Sequence, residues 1–65
     1  MAYDYTLRST GDMEILDSRK SGTRTVAVVP YPLSFKIINK LDSSPTPQAT
    51  QLILYNYARR YYGQI

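Results

Sequence analysis

The stretch from Pro47 to Tyr62 constrains the fold more than any other part of the chain, because it combines a helical period with apolar residues on two sides. At about 100° per residue, one continuous face of this helix holds five residues: Ile53, Leu54, Tyr57, Ala58 and Tyr61. A second apolar strip lies nearly opposite and consists of Leu52, Tyr55 and Tyr62. Asn56 and Arg60 mark the clear solvent wedge between them. A helix that is apolar on two sides is expected to pack on two sides, first on its own chain and then on a second copy.

The small size of the chain also favours association. A domain of 65 residues buries only about 60% of the surface that its unfolded chain exposes, so it usually needs a disulfide, a metal or a partner chain. The sequence contains no Cys and no His, which excludes disulfides and thiolate zinc sites and removes the commonest metal ligand and general base. We therefore predict a homodimer.

The net charge of +3 is unevenly distributed along the sequence. After Thr25, the single acid Asp42 opposes four basic residues: Lys36, Lys40, Arg59 and Arg60. A charge of this size permits binding to a polyanion without requiring it. No apolar run is long enough to span a bilayer, and the N-terminus lacks the basic start and apolar segment of a secretory signal. We expect a cytoplasmic protein without membrane insertion.

The first 22 residues are predicted to form an N-terminal arm or a β-hairpin. Residues 2–8 alternate between apolar and polar side chains, which is typical of a half-buried strand. Residues 9–12 have turn chemistry around Gly11, and Met13 and Ile15 resume the alternation in a possible second strand. Residues 17–22 read as a polar loop with Arg19 and Lys20 at its tip.

Residues 23–65 are predicted to form a strand-helix-helix core. Thr23–Val29 is rich in β-branched residues and ends at Pro30. Its face with Val26 and Val28 is expected to point to the core, and its face with Thr23, Thr25 and Ala27 away from it. A short helix follows from Leu33 to Asp42, and Thr46 with Pro47 marks the start of the long helix.

The residue inventory argues against catalysis and against bound cofactors or metals. The five acidic residues include no pair with the helical spacing that joint acid and base work needs, and neither His nor Cys supplies a nucleophile pair. Asp12, Glu14 and Asp17 lack the glycine and terminal glutamate of a calcium loop. Three scattered glycines do not make a phosphate loop. We expect a binding protein rather than an enzyme, with no cofactor.

Three elements follow one another from Thr23 to Gly63. They are a β-branched strand ending at proline, a short helix with an apolar face at Leu33 and Ile37, and a helix ending Tyr-Ala-Arg-Arg-Tyr-Tyr. This order resembles the ribbon-helix-helix family of Arc- and MetJ-type repressors. In that family two chains pair their strands into an antiparallel ribbon that lies in the DNA major groove. The resemblance implies a mostly α fold with a short β ribbon, and a homodimeric, sequence-specific transcriptional regulator that binds double-stranded DNA.

The resemblance also assigns roles to particular residues. Strand residues would face or flank the bases, while the polar loop and the start of the second helix would contact phosphates. The DNA-binding residues would be Thr23, Arg24, Thr25, Ala27, Arg19, Lys20, Ser44 and Thr46. The dimer interface would combine the other strand face with the long helix: Val26, Val28, Ile53, Leu54, Tyr55, Tyr57, Ala58, Tyr61 and Tyr62.

A second interpretation takes the N-terminal alternation at face value. Residues 2–8, 12–17 and 23–29 would then form a three-stranded antiparallel meander covered by the two helices, which is an α+β fold. Seven tyrosines, four of them on the long helix, suit half-buried interfaces. In this case the chain would be a small protein-binding module or inhibitor, such as a phage-encoded regulator, that docks its tyrosine-rich helix on a larger protein.

Overall fold

The first half of the chain forms three consecutive antiparallel strands, and the second half forms two helices. A computed structural model describes residues 2–19 and 22–63. The strands are β1 (Ala2–Leu7), β2 (Met13–Arg19) and β3 (Gly22–Val29), and they lie side by side in that order. The helices are α1 (Leu33–Asp42) and α2 (Pro47–Arg60). The helices cover one face of the sheet and leave the other face open, which is a two-layer arrangement.

This architecture is the α+β meander, so the expectation of a mostly α fold is wrong. β1 and β2 form a hairpin within residues 1–22, and β2 pairs with β3 from end to end, so the hairpin and the strand-helix-helix segment share one sheet. The mostly α expectation fails because it leaves β1 and β2 without a partner for their alternating apolar residues. In the sheet those residues, among them Met13 and Ile15, lie under the helices.

A tight turn joins β1 to β2 and also holds the start of α1. Gly11 adopts a φ of +93°, its N–H donates to the Arg8 carbonyl at 2.9 Å, and the Arg8 N–H donates to the Asp12 carbonyl at 2.8 Å. The Asp12 carboxylate accepts a hydrogen bond from the Tyr31 N–H at 2.9 Å. The buried Ser34 hydroxyl donates to the Gly11 carbonyl at 2.6 Å. The turn is therefore coupled by one hydrogen bond to the first turn of α1 and by another to the segment just before it.

A β-bulge in β3 reverses the faces expected for that strand. Ile15 lies opposite Ala27, whereas the next residue of β2, Leu16, lies opposite Thr25, so Val26 is the extra residue. Val26 and Ala27 are consequently both buried, although they are neighbours in sequence. Val28, predicted to point to the core, lies on the open face opposite Glu14 and is half-buried. The prediction is confirmed for Val26 and is wrong for Ala27 and Val28, because strict alternation cannot anticipate a bulge.

β2 continues through the segment expected to be a polar loop. Asp17 lies opposite Tyr3 on β1 and Arg24 on β3, and it is only 1% exposed. Backbone pairing with β1 as far as Ser18, and with β3 as far as Arg19, extends β2 because those hydrogen bonds do not depend on side-chain polarity. The loop prediction was wrong for residues 17–19 and for Gly22, which begins β3, and residues 20 and 21 lie outside the described residues.

The core lies between the inward face of the sheet and both helices. Its buried apolar side chains come from β2, β3, α1 and α2, and they are Met13, Ile15, Val26, Ala27, Val29, Ile37, Leu41, Leu54 and Ala58. Seven partly buried side chains surround them: Tyr3, Tyr5, Leu33, Ile38, Ile53, Tyr57 and Tyr61. The apolar faces predicted for α1 and for the first side of α2 are therefore confirmed. The apolar face predicted for β1 is confirmed at Tyr3 and Tyr5, whereas Leu7 is exposed.

The start signal of α2 is also confirmed. Thr46 has an extended conformation, and its hydroxyl oxygen accepts a hydrogen bond from the Ala49 N–H at 3.1 Å. Pro47 occupies the first helical turn, where an N–H would have no helical partner. The helix ends at Arg60, two residues earlier than predicted. Beyond it, Tyr62 forms an antiparallel bridge with Ala27, and the Gly63 N–H donates to the Val26 carbonyl at 3.4 Å.

Candidate binding surfaces

Helix α2 is anchored to both edges of the sheet, which fixes the surfaces that it presents. On one edge, the Gln51 side-chain amide contacts the backbone of Tyr3 twice: its Oε1 accepts from the Tyr3 N–H at 2.6 Å, and its Nε2 donates to the Tyr3 carbonyl at 2.8 Å. On the other edge, the bridge between Tyr62 and Ala27 follows the helix. The amide of Gln51 thus pairs with the edge of β1 as a neighbouring strand would.

The outer strip of α2, defined here as Leu52, Tyr55 and Arg59, faces away from the core. These residues recur at intervals of three and four, so they share one side of the helix. Leu52 is 60% exposed and Tyr55 is 39% exposed. The Arg59 guanidinium lies 5.6 Å from the centroid of the Tyr55 ring, and the centroid of the Tyr3 ring lies 6.0 Å from it. The Tyr55 ring is therefore near both a cation and a second aromatic ring.

A groove separates the end of α1 from α2 on the neighbouring side of the helix. It encloses about 350 Å³ and is lined by Lys40 from α1 and by Ile53, Asn56, Tyr57 and Arg60 from α2. The Lys40 Nζ lies 6.0 Å from the centroid of the Tyr57 ring. No carboxylate lines this helical groove within the described ranges. It therefore combines an apolar floor with two cations and an amide.

The open face of the sheet carries a polar network centred on Glu14. The Arg8 Nε donates to Glu14 Oε2 at 3.0 Å, and the Thr25 hydroxyl donates to Glu14 Oε1 at 2.8 Å. The hydrogen bond from Arg8, followed by the one from Thr25, holds the pKa of Glu14 below its ordinary value. The network occupies both oxygens of this carboxylate.

Comparison with protein-family models, with curated proteins and with solved structures gives no match to this chain. The candidate surfaces therefore rest on geometry and charge.

In the part of the chain that the structure describes, no group of three acidic, His or Cys side chains is placed to hold a metal ion. Neither α1 nor α2, the helices of the described ranges, combines the length and apolarity that crossing a membrane requires.

The residues predicted to contact DNA do not form one surface. Thr23 and Arg24 are exposed on β3, but Thr25 is engaged with Glu14 and Ala27 is fully buried. Ala27 cannot reach a base, because its side chain lies in the core of the chain. At the start of α2, Ser44 donates a hydrogen bond to the Thr46 carbonyl, and Thr46 caps the helix. The side chain of Arg19 and all of Lys20 lie outside the described residues.

The residues predicted to form a dimer interface divide into three groups. Val26, Leu54 and Ala58 are buried within the chain, so they are not available to a second copy. The half-buried side chains are Ile53, Tyr57 and Tyr61, which pack against the core, and Val28, which lies on the open face of the sheet. Exposed aromatic side chains are Tyr55 and Tyr62. Tyr62 leaves the predicted second strip, because the helix ends before it.

A second groove brings Tyr62 together with residues of β3. It encloses about 280 Å³ and is lined by Arg24, Thr25, Val26, Tyr62 and Gly63. Sequence reasoning assigned Arg24 and Thr25 to DNA and Val26 and Tyr62 to the dimer, yet all four line the same edge of the sheet.

The sequence analysis missed several residues that shape these surfaces. Gln51 was not singled out, because nothing in a sequence indicates that a side-chain amide will pair with a strand edge. Lys40 was noted only as part of the cation excess, and Arg60 as part of that excess and of the solvent wedge of α2. The signal that could have found the helical groove was Asn56 and Arg60 in the polar wedge of α2, read together with the basic end of α1.

Proposed function

We propose that this chain is a small protein-binding module that docks on the acidic surface of a larger protein through the outer strip of α2. The observation that carries the proposal is the exposure of Leu52 and Tyr55 on a helix whose other side is already packed in the core. Large apolar side chains placed together on a rigid exposed face are typical of interaction sites. Tyrosine and arginine, the other members of the strip, are enriched among residues that dominate binding energy.

The charge of the helices supports an acidic partner. The first 25 residues contain four acidic and four basic residues, so the whole net charge of +3 lies on the helical half. Helix α2 itself has two arginines and no acid. A partner that presents carboxylates around an apolar centre would match this distribution, and its association would be accelerated by electrostatic steering.

The strip is held in place before any partner arrives. The contacts of Tyr55 with Arg59 and Tyr3 restrict the ring, and Gln51 fixes the helix against β1. Ordering these side chains on binding therefore costs less entropy than ordering free ones. A standard interface buries about 800 Å² on each partner, which is a sizeable share of the 4439 Å² accessible surface of this chain. The interface must accordingly extend from the strip across neighbouring parts of the helical layer.

The test is photocrosslinking from defined positions in the full chain. A benzoyl-phenylalanine placed at Tyr55 should capture one larger protein in cells of the source organism, and the same probe at the exposed Thr6 on the open sheet face should not. Equal capture from both positions, or none from Tyr55, would refute the proposal. Capture of a second copy of this chain would identify the strip as a homodimer interface instead.

Matched leucine variants then measure the contribution of the strip. Leu52→Ala and Leu7→Ala each shorten an exposed leucine, one on α2 and one on β1. With the purified partner, Leu52→Ala should raise Kd about tenfold, since loss of an anchor residue costs more than about 1 kcal/mol. Leu7→Ala should leave Kd unchanged in the same titration.

Sequence-specific DNA binding by a homodimer is the second candidate, and the four basic residues on the helices favour it. One edge of β3 already pairs with β2. A ribbon between two copies would therefore need the other edge of β3, where Tyr62 forms a bridge with Ala27. Binding to duplex DNA should weaken steeply as salt rises. The double variant Thr23→Ala with Thr25→Ala should lose sequence preference and keep the dimer. A monomer in sedimentation at micromolar concentration would exclude this candidate.

A further inference from the structure

We infer that the groove between α1 and α2 is a binding site for a phosphate monoester carried on an aromatic ring. The site is distinct from the outer strip of α2, and it does not rest on the proposed docking function. It is lined by two exposed cations, Lys40 and Arg60, and by two half-buried apolar side chains, Ile53 and Tyr57, which we call its floor.

The charge of the helical groove selects a dianion. Lys40 and Arg60 approach from different helices, and within the described residues no acid lines the groove to neutralise them. A phosphate monoester carries a charge of about −1.5 to −2 at neutral pH, so it balances two cations, whereas a carboxylate balances one. The planar guanidinium of Arg60 suits two parallel hydrogen bonds to phosphate oxygens. The Asn56 amide adds a neutral donor in the same groove.

The apolar floor selects a ring attached to the phosphate. Tyr57 is half-buried and packs against the core, so its ring is a fixed surface for stacking. Ile53, one helical turn earlier, extends that surface with aliphatic atoms. A volume of about 350 Å³ lies at the small end of the range for ligand pockets, which is about 300–1,000 Å³. The groove therefore suits a single ring with its phosphate rather than a long chain.

Lys40 is placed to change partners when such a ligand binds. Its ammonium lies 6.0 Å from the Tyr57 ring centroid, which is the outer limit of about 6 Å for a favourable cation–π contact. Little attraction is lost when the ammonium turns from the ring to a phosphate oxygen. The ring face that it leaves becomes available to the ligand.

The site is tested by titrating the full-length, isotope-labelled chain with phenyl phosphate and following its amide and side-chain NMR signals. We expect saturable shifts at Asn56, Tyr57, Lys40 and Arg60. Benzoate and inorganic phosphate should each bind about tenfold more weakly, because the first lacks the second charge and the second lacks the ring. Equal affinity for all three anions would show a general surface-charge effect and overturn the assignment.

Two double variants with the same loss of charge provide the control. Lys40→Gln with Arg60→Gln removes both cations of the groove, and Lys36→Gln with Arg59→Gln removes their neighbours, which do not line it. The first variant should weaken phenyl phosphate binding at least about tenfold, and the second should leave it nearly unchanged. Similar losses in both variants, or shifts centred outside the groove, would refute the site.

Adenosine monophosphate and N-acetyl-O-phosphotyrosine amide then distinguish the source of the ligand. The phosphate of the first lies on a ribose, away from a two-ring base, and represents a nucleotide. The phosphate of the second lies directly on a single ring and represents a modified peptide. We expect the second to compete more strongly, and a preference for adenosine monophosphate would overturn the assignment of a ring-borne phosphate. If neither competes with phenyl phosphate at the shifted signals, the inference fails.

Discussion

Replacing Gln51 with alanine tests how α2 is attached to the sheet. The Gln51 amide makes two hydrogen bonds with the backbone of Tyr3, at 2.6 Å and 2.8 Å, and these join residues 48 positions apart in sequence. Tyr3 is half-buried, so water can reach its backbone groups only in part once the amide is gone. The variant removes both bonds and leaves one donor and one acceptor at the edge of β1.

The expected cost follows from those two bonds. A hydrogen bond contributes about 0.5–1.5 kcal/mol net, so the pair should contribute about 1–3 kcal/mol to the free energy of unfolding. Partial rehydration of the strand edge reduces the expected loss of unfolding free energy to about 1–2 kcal/mol. For a domain of this size each kcal/mol lowers Tm by about 4–8 °C. Alanine also favours the helix slightly more than glutamine does, which offsets a few tenths of a kcal/mol.

Urea unfolding followed by far-UV circular dichroism measures this loss, and Gln48→Ala is the matched control. Gln48 lies on the same helix but is exposed, so its replacement changes helix propensity without removing the contact with Tyr3. Hydrogen exchange at the Tyr3 amide should accelerate in Gln51→Ala alone. If the two variants unfold within about 0.3 kcal/mol of each other, the reasoning that Gln51 pairs with the strand edge is refuted.

Three further predictions concern the core, the turn and the open face of the sheet. Leu54→Ala should lower the free energy of unfolding by about 3–5 kcal/mol because Leu54 is buried, whereas Leu52→Ala should lower it by less than about 1 kcal/mol. Similar losses for the two variants in urea unfolding would contradict the assigned faces of α2. Gly11→Ala should lower the free energy of unfolding by more than about 1 kcal/mol, because φ at Gly11 is +93° and the added Cβ would lie 3.0 Å from the Tyr31 ring. An unchanged thermal unfolding temperature would contradict the turn geometry. The pKa of Glu14 is lowered in the folded state, so its contribution is fully present above its ordinary value of 4.5 and is lost as pH falls through the lower folded value. Glu14→Gln should therefore flatten the fall in unfolding free energy that begins as pH drops below 4.5, and an unchanged profile would exclude the network as its source.

The helices were the most predictable part of this fold. A helical period, a threonine cap and a proline in the first turn are local signals, and Thr46 and Pro47 perform the roles that they indicate. The inward faces of β1 and β2 were predictable for the same reason, since alternation at Tyr3, Tyr5 and Met13 needs only neighbouring residues.

The pairing of β3 was not predictable to the same degree. The same seven residues from Thr23 to Val29 can pair with a second copy or with β2, and nothing local distinguishes the two. The choice depends on whether β2 reaches β3 in register, which brings Met13 opposite Val29 and Asp17 opposite Arg24. The extra residue Val26 then exchanges the faces of the strand, so that Ala27 enters the core.

The candidate binding surfaces show the same division. The sequence indicated that α2 has apolar residues on two sides, and it located the excess of positive charge on the helical half. It did not indicate that Lys40 and Arg60 would line one groove, or that Tyr62 would leave the helix and bridge to β3.

By itself, the sequence determined the positions of the helices and the apolar faces of β1, β2 and α2. It also showed that the chain is unsuited to thiol, imidazole or disulfide chemistry. Each of these depends only on residue type and local spacing. Only the tertiary structure decided that β3 completes an intrachain sheet, that a bulge buries Ala27, and that Gln51 joins α2 to β1. These outcomes depend on backbone pairing between segments distant in sequence, and backbone groups are alike in every residue except proline.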